Sequence, residues 1–202
     1  MTVLLATRNE GKVAELRRIL APFAIELVGL EAVEPYEPAP EEGATFRENA
    51  LAKAAEAARI TGRAAVADDS GLCVDALNGM PGVLSARWAG RHGDDAANLS
   101  LLLGQLADVP PARRGARFVC AAAAVDPRSG GQVCVEAELA GTLLTAPRGT
   151  NGFGYDPVFV PRGYQVTTAE LSPADKDAMS HRGQAFRALA PLLARLFEPA
   201  SA

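Results

Sequence analysis

Thr45-Phe46-Arg47-Glu48-Asn49-Ala50-Leu51-Ala52-Lys53-Ala54-Ala55-Glu56-Ala57-Ala58-Arg59-Ile60-Thr61-Gly62 leads almost at once into Ala64-Ala65-Val66-Ala67 and then Asp68-Asp69-Ser70-Gly71. Thr45 and Glu48 stand at capping-box spacing, the Ala-rich run that follows is helical, and Gly62 is placed to stop it. Asn49, Lys53 and Glu56, at i, i+4 and i+7, form a polar line opposite the small apolar residues. Ala64 to Ala67 predicts a strand that ends at the two aspartates. A helix delivering a buried strand with charge at its end is the repeating unit of an α/β fold.

Working outward gives more of the same. Thr2 to Ala6 predicts a short buried strand, Thr7-Arg8-Asn9-Glu10-Gly11 a polar turn, and Lys12 to about Leu20 a helix with Val13, Leu16, Ile19 and Leu20 on its apolar side. Ile25 to Val28 predicts a second strand, and the Pro- and Glu-rich stretch Glu34 to Glu42 an exposed connector. Beyond Gly71, a Gly/Pro-rich loop (Gly79 to Gly93) precedes a Leu-rich helix capped by Asp94 or Asp95. Two long apolar strands follow, Ala116 to Val125 and Gln132 to Gly141, and the turn between them favours a hairpin. Ser172-Pro173 opens a further helix, and Ser180 to Phe197 forms the last, with Pro191 inside it as a candidate kink. The expected architecture is an α/β domain with a mixed parallel/antiparallel sheet flanked by helices, its polar loops converging on a cleft.

A net charge of -4 and a pI near 5.3 lack the broad positive field that nucleic-acid binders use, so no nucleic-acid partner is expected. No stretch approaches the ~20 apolar residues that span a bilayer, so no membrane partner is expected and a cytoplasmic location is. Cys73, Cys120 and Cys134 are odd in number and set among apolar residues, which predicts buried thiols. The basic residues are 17 Arg against 3 Lys, and the lysines are Lys12, Lys53 and Lys176. A compact ammonium makes a point contact with a phosphate oxygen where arginine presents a planar fork, so the rare lysines mark candidate sites.

Four groups of residues carry candidate chemistry. Thr7-Arg8-Asn9-Glu10-Gly11-Lys12 puts helix N-terminal amides and an ammonium where an anion is favoured, although it lacks Walker A spacing and, taken alone, is also an ordinary capped helix start. Asp68 and Asp69, with Glu41 and Glu42 in the connector, form an acidic set: two carboxylates ~4 Å apart repel by about 4 kcal/mol at an effective dielectric of 20, so an interior pair calls for a proton or a hard cation such as Mg²⁺. Thr150-Asn151-Gly152-Phe153-Gly154-Tyr155-Asp156-Pro157 lets backbone approach a planar ligand, with Phe153 able to stack on it. Lys176 and Ser180-His181-Arg182 supply donors and positive charge near the last helix.

Together these residues resemble the inosine triphosphate pyrophosphatase family, the RdgB-like nucleotide house-cleaning enzymes. The resemblance runs through Thr7-x-Asn9-x-x-Lys12, Thr45-Phe46 with Glu48-Asn49-Ala50 and Lys53, Asp68-Asp69-Ser70-Gly71-Leu72, Pro81-Gly82-Val83 with Ser85-Ala86-Arg87-Trp88, Gly152-Phe153-Gly154-Tyr155-Asp156-Pro157, and Lys176 with Ser180-His181-Arg182. It implies one nucleoside-triphosphate pyrophosphatase domain over residues 1–202, an elongated mixed sheet with two lobes around a central cleft, and a homodimer. It implies that Thr7, Arg8, Asn9, Glu10, Gly11, Lys12, Lys53 and Ser70 hold the triphosphate of a deaminated purine nucleotide such as ITP, dITP or XTP. Phe153, Gly154, Tyr155, Asp156, Lys176, His181 and Arg182 would enclose the base, with Arg182 or a backbone N–H reading the 6-oxo group. Glu41, Asp68 and Asp69 would manage Mg²⁺, Glu41 being favoured over Glu42, and Asp69 would be the general base for water attacking the α-phosphorus. Two alternatives stand beside this reading. A Maf-type pyrophosphatase normally carries Ser-Pro-Arg-Arg where this chain has Asn9-Glu10-Gly11-Lys12, and a non-catalytic nucleotide-binding module would gain nothing from extra carboxylates.

Overall fold

In the computed structural model, which describes residues 1–197, strands β1 (Thr2–Leu5), β2 (Glu26–Val28), β3 (Ala65–Val74), β4 (Gly115–Val125), β5 (Gln132–Leu143) and β6 (Phe159–Pro161) form one six-stranded sheet in the order β2-β1-β3-β4-β5-β6. The β1 strand pairs in parallel with β2 and with β3, whereas β5 and β6 run antiparallel, so the sheet is mixed as expected. Among the described residues five α-helices accompany it: α1 (Glu10–Leu20), α2 (Phe46–Thr61), α3 (Asp95–Gln105), α4 (Pro173–Met179) and α5 (His181–Phe197). The chain divides into two compact units. One comprises Met1–Asp69, Cys120–Ala137 and the chain from Arg182, and the other Ser70–Val119 and Glu138–His181.

In the first unit the strands are covered on both faces, which is why β1 reads as an unbroken apolar run. Val3 and Leu5 join Leu16, Leu20, Phe186, Leu189 and Leu193 on one side. On the other, Leu4 and Ala6 meet Ala50, Ala54, Ala57 and Ala58 of α2. Alanine is a good helix former and its small side chain lets α2 lie close to the sheet. The α2 helix begins with the predicted capping box: Glu48 N–H donates to Thr45 Oγ1 at 3.2 Å and Thr45 N–H to Glu48 Oε2 at 3.0 Å. It ends at Gly62, whose φ of +66° is a left-handed cap that a residue with a Cβ adopts at a cost. Each of the fully buried Leu and Phe side chains contributes roughly 1.5–3 kcal/mol over leaving it in water.

The second unit has its own core of Leu72, Val74, Leu102, Leu106, Phe118, Leu143, Val158 and Phe159. Of the two candidates at the start of α3, Asp94 caps the helix, accepting from Ala97 N–H at 3.1 Å. The turn between β4 and β5 is closed by Asp126 N–H donating to Gly131 C=O at 2.9 Å. The predicted loop Gly79 to Gly93 contains a 3₁₀ turn, Gly82–Arg87.

One expectation is corrected. The β3 strand does not stop before Asp68 but runs on through Asp68, Asp69 and Ser70 to Val74. The charged run resembles a turn only while its partners are unknown. Leu72, Cys73 and Val74 resume the apolar pattern, and the two carboxylates are neutralised by cations from other elements, so burying them within a strand is tolerated.

Candidate active site

Because successive strand residues point to opposite faces, Asp68 and Asp69 enter different surroundings despite being neighbours in sequence. Asp68 follows Val66 to the side of α1 and α5, and Asp69 follows Ala67 to the side of α2.

The Asp68 side is a closed ionic network. Lys12 Nζ lies 3.0 Å from Asp68 Oδ2, and Arg182 Nε donates to the same oxygen at 3.3 Å. Arg182 also reaches Glu15 Oε2 through Nη1 at 2.5 Å. The side chains of Asp68, Glu15 and Arg182 are all but sealed from solvent, at 0%, 6% and 3% exposure. Burial alone would raise the Asp68 carboxyl, but Lys12 and Arg182, with Lys53 beyond them, outweigh it and hold the group well below the usual carboxylate range. Asp68 is therefore a fixed negative charge that orients Lys12.

The Asp69 side is more open. Asn49 Nδ2 donates to Asp69 Oδ2 at 3.1 Å and Lys53 Nζ to Oδ1 at 2.8 Å, while the same ammonium lies 2.7 Å from Glu41 Oε1. Lys53 and Glu41 each keep about a quarter of their side chains in solvent, at 24%. Burial raises the Asp69 carboxyl, Lys53 offsets part of that and Glu41 adds to it, so the group ends above the ordinary carboxylate value. Adjacent carboxylates whose environments push them in opposite directions are a signature of divided acid–base roles.

Near these groups the turn before α1 is preorganised. Asn9 caps the helix by accepting from Lys12 N–H at 3.0 Å, and Thr7 Oγ1 accepts from Asn9 N–H at 3.2 Å. The start of an eleven-residue helix, with Glu10 and Gly11 as its first residues, presents amide donors of the kind that bind anions. Arg8 donates to the carbonyl of Tyr36, which ties this turn to the connector.

The expected metal ligands divide between the two sides. Among the described residues no three His, Cys, Asp or Glu side chains gather as ligands for one ion. Glu41 and Asp69 do meet, across a shared Lys53, and Asp68 is committed to Lys12 and Arg182. A pair of hard carboxylate oxygens next to a phosphate site fits Mg²⁺, which commonly takes one or two carboxylates and completes its shell with substrate phosphates and water. Of the two connector glutamates, it is Glu41 that reaches Lys53, while Glu42 is exposed.

In the second unit the buried Asp156 is a hub. Phe153 N–H donates to its Oδ2 at 2.9 Å, Thr168 Oγ1 to its Oδ1 at 2.8 Å, and Lys176 Nζ to Oδ2 at 2.5 Å. These bonds place the Lys176 ammonium 5.0 Å from the centre of the half-buried Phe153 ring. Gly152 is required here: its φ is +75°, and a Cβ would fall 2.1 Å from Asp156 Oδ2. Gly154 N–H donates to Asp95 at 2.8 Å, and Ser70 lies half-buried within β3.

Several residues expected around a base make contacts within the protein. Tyr155 is a core residue whose hydroxyl donates to Ser85 C=O at 2.9 Å, and Asp156 holds the loop from within. His181 is buried and stacks on Phe118, with ring centres 4.8 Å apart. Arg182, expected at the base, also takes part in the network around Asp68. Its Nε and Nη1 face Asp68 and Glu15, because a buried guanidinium must be matched by carboxylates. The sequence reading missed Glu15, Asp95 and Thr168 and gave Asn49 no site role. Lys12 and Glu15 at i, i+3, and Asn49 and Lys53 at i, i+4, were available signals; Asp95 and Thr168 had none.

Comparison with known proteins gives the family. A curated relative from Nocardia farcinica, a dITP/XTP pyrophosphatase, is 62% identical over 197 residues covering 96% of this chain and 95% of that protein. One from Mycobacterium tuberculosis with the same name is 57% identical, covering 96% of each. The crystal structure of a nucleoside-triphosphatase, a dITP/XTP pyrophosphatase, from Mycobacterium abscessus matches with a TM-score of 0.76 and 60% identity, covering 95% of this chain and 100% of that one. The Staphylococcus aureus Ham1 protein matches with a TM-score of 0.84 at 35% identity, covering 96% of this chain and 98% of that one. Residues 3–192 match the model of the Ham1 family, and the chain belongs to that family.

Proposed function

We infer that the protein is a dITP/XTP pyrophosphatase. It hydrolyses non-canonical purine nucleoside triphosphates such as ITP, dITP and XTP to the monophosphate and pyrophosphate. The single observation that carries this is the adjacent pair Asp68 and Asp69, set by Lys12 and Arg182 on one side and by Lys53, Asn49 and Glu41 on the other into opposite electrostatic states.

In this reading Lys12 and the amides that open α1 take the phosphates, with Asp68 holding Lys12 in place. Asn49 and Lys53 fix the Asp69 carboxylate, which accepts a proton from water as the water oxygen bonds to the α-phosphorus and the bond from that phosphorus to the bridging oxygen breaks. Pyrophosphate leaves with the bridging oxygen, and the lysines offset its growing charge. Glu41 and Asp69 are the residues that would hold Mg²⁺, which when bound neutralises phosphate charge and acts as a Lewis acid on it. Within the second unit, Phe153 offers a ring face to a planar group, steadied by Lys176 through Asp156.

The full domain, residues 1–202, is the catalytic entity in this proposal; it acts as a homodimer and works in the cytoplasm. No described helix is long and apolar enough to cross a membrane. The test is pyrophosphate release with Mg²⁺ from ITP, XTP, dITP, ATP and GTP side by side. Rapid hydrolysis of the first three, with ATP and GTP nearly untouched, is expected. Nucleotide binding without hydrolysis of any would replace the enzyme with a binding module.

A further inference from the structure

The polar line along α2 contains a residue that the reaction scheme does not use. Glu56 accepts from Ala39 N–H through both carboxylate oxygens, at 3.0 and 3.2 Å. Two residues further along the connector, Glu41 meets Lys53, and two further again, Gly43 N–H donates to Asn49 Oδ1 at 2.8 Å. Residues 39, 41 and 43 are thus fastened in turn to residues 56, 53 and 49, so the connector runs along α2 in the opposite direction. Two extended residues advance about 6.6 Å and three or four helical residues about 4.5–6 Å, so the spacings nearly keep step.

The sequence around the first fastening leaves little choice of donor. In Pro38-Ala39-Pro40 only Ala39 has a backbone N–H, and the following proline holds Ala39 in an extended conformation. Glu56 grips this one amide beside the residue pair that carries Glu41.

We propose that Glu56 is a positioning residue: by anchoring Ala39 it sets the Glu41 carboxylate beside Asp69 and thereby tunes the affinity for the divalent cation. The proposal rests on the reading of Glu41 as a metal-side carboxylate. Glu56 touches neither substrate nor metal in it. Residues that orient ligands in this way typically change metal affinity roughly 10–100-fold when removed.

The test uses the full-length protein and two independent ways to delete one hydrogen bond, Glu56→Ala from the acceptor side and Ala39→Pro from the donor side. Mn²⁺ binding is followed by electron paramagnetic resonance in the presence of an ITP analogue with a non-hydrolysable α,β bridge, and Mg²⁺ half-saturation is followed by pyrophosphate release. Each variant is expected to weaken Mn²⁺ binding and raise Mg²⁺ half-saturation about tenfold, with kcat at saturating Mg²⁺ kept within about twofold. The double variant adds nothing further, and Glu56→Gln, which retains an acceptor oxygen, stays within about threefold of the parent. Unchanged metal affinity in both single variants overturns the proposal, as does a lowered melting temperature or lowered activity with Mg²⁺ half-saturation unmoved. Glu41→Gln separates the two levels: if it weakens Mn²⁺ binding while the Ala39 and Glu56 variants do not, Glu41 stands and Glu56 falls. If Glu41→Gln leaves binding intact, the reading of Glu41 fails and the proposal fails with it.

Discussion

Asp68 and Asp69 are the same residue type one position apart, yet one sits in a sealed network and the other in an open one. Asp68, Glu15 and Arg182 are almost wholly buried, while Asp69 shares Lys53 with a Glu41 that solvent still reaches. A buried ion pair that nothing can exchange maintains geometry, and a partly exposed one can trade partners when an anion or cation arrives. Strand alternation alone creates the difference, since it sends one carboxylate towards α5 and the other towards α2.

The largest expected effect breaks the open side. Asp69→Asn keeps the shape but removes the proton acceptor, so turnover should fall roughly 10²–10⁴-fold while nucleotide binding persists. Single-turnover hydrolysis of ITP beside equilibrium binding measures both; loss of binding in step with turnover would assign Asp69 to holding substrate instead. Next, Arg182→Met breaks the closed side by removing the buried guanidinium that Glu15 and Asp68 share, and urea unfolding should show about 3–5 kcal/mol of lost stability. A stability within 1 kcal/mol of the parent, coupled with loss of base discrimination, would return Arg182 to the base. Smaller still, Asn49→Ala removes one hydrogen bond to Asp69 and one from Gly43, and each bond of this kind contributes about 0.5–1.5 kcal/mol, or more where a charge is involved. A fall in kcat of about tenfold with KM little changed is expected; an equal loss in Asp69→Asn and in the double variant would show that the two residues act through one another.

The same contrast explains what could be read from sequence. The α2 helix was legible end to end because its signals are local: a capping box, small apolar residues at helical spacing and a terminal glycine. The three lysines were legible through their rarity, and each meets a carboxylate in the folded chain: Asp68, Asp69 with Glu41, and Asp156. What stayed hidden depended on partners far along the chain. The β3 strand was cut short because Asp68 and Asp69 look unburiable until cations from α1, α2 and α5 are brought to them. The ion pair of Arg182 with Glu15 was hidden for the same reason, the two lying 167 positions apart. Tyr155 sits in a glycine-flanked segment that suggests ligand contact, and only packing reveals it as core.

That long-range closure also sets an order of events during synthesis. Chains emerge from the ribosome N-terminus first, and Glu15 and Asp68 are made long before Arg182, the residue that bonds to both. The strands and helices of the nascent chain can begin to assemble, and Lys12 can meet Asp68, but the guanidinium that joins Asp68 to Glu15 arrives only when α5 has been translated and has left the exit tunnel. A chain stopped short of α5 therefore lacks the guanidinium that bonds to both Glu15 and Asp68 and the apolar face of Phe186, Leu189 and Leu193 that completes the core of the first unit. The α5 helix acts as a proofreading mark for the polypeptide itself: only a product extended through Arg182 completes the network in which one guanidinium joins Asp68 and Glu15.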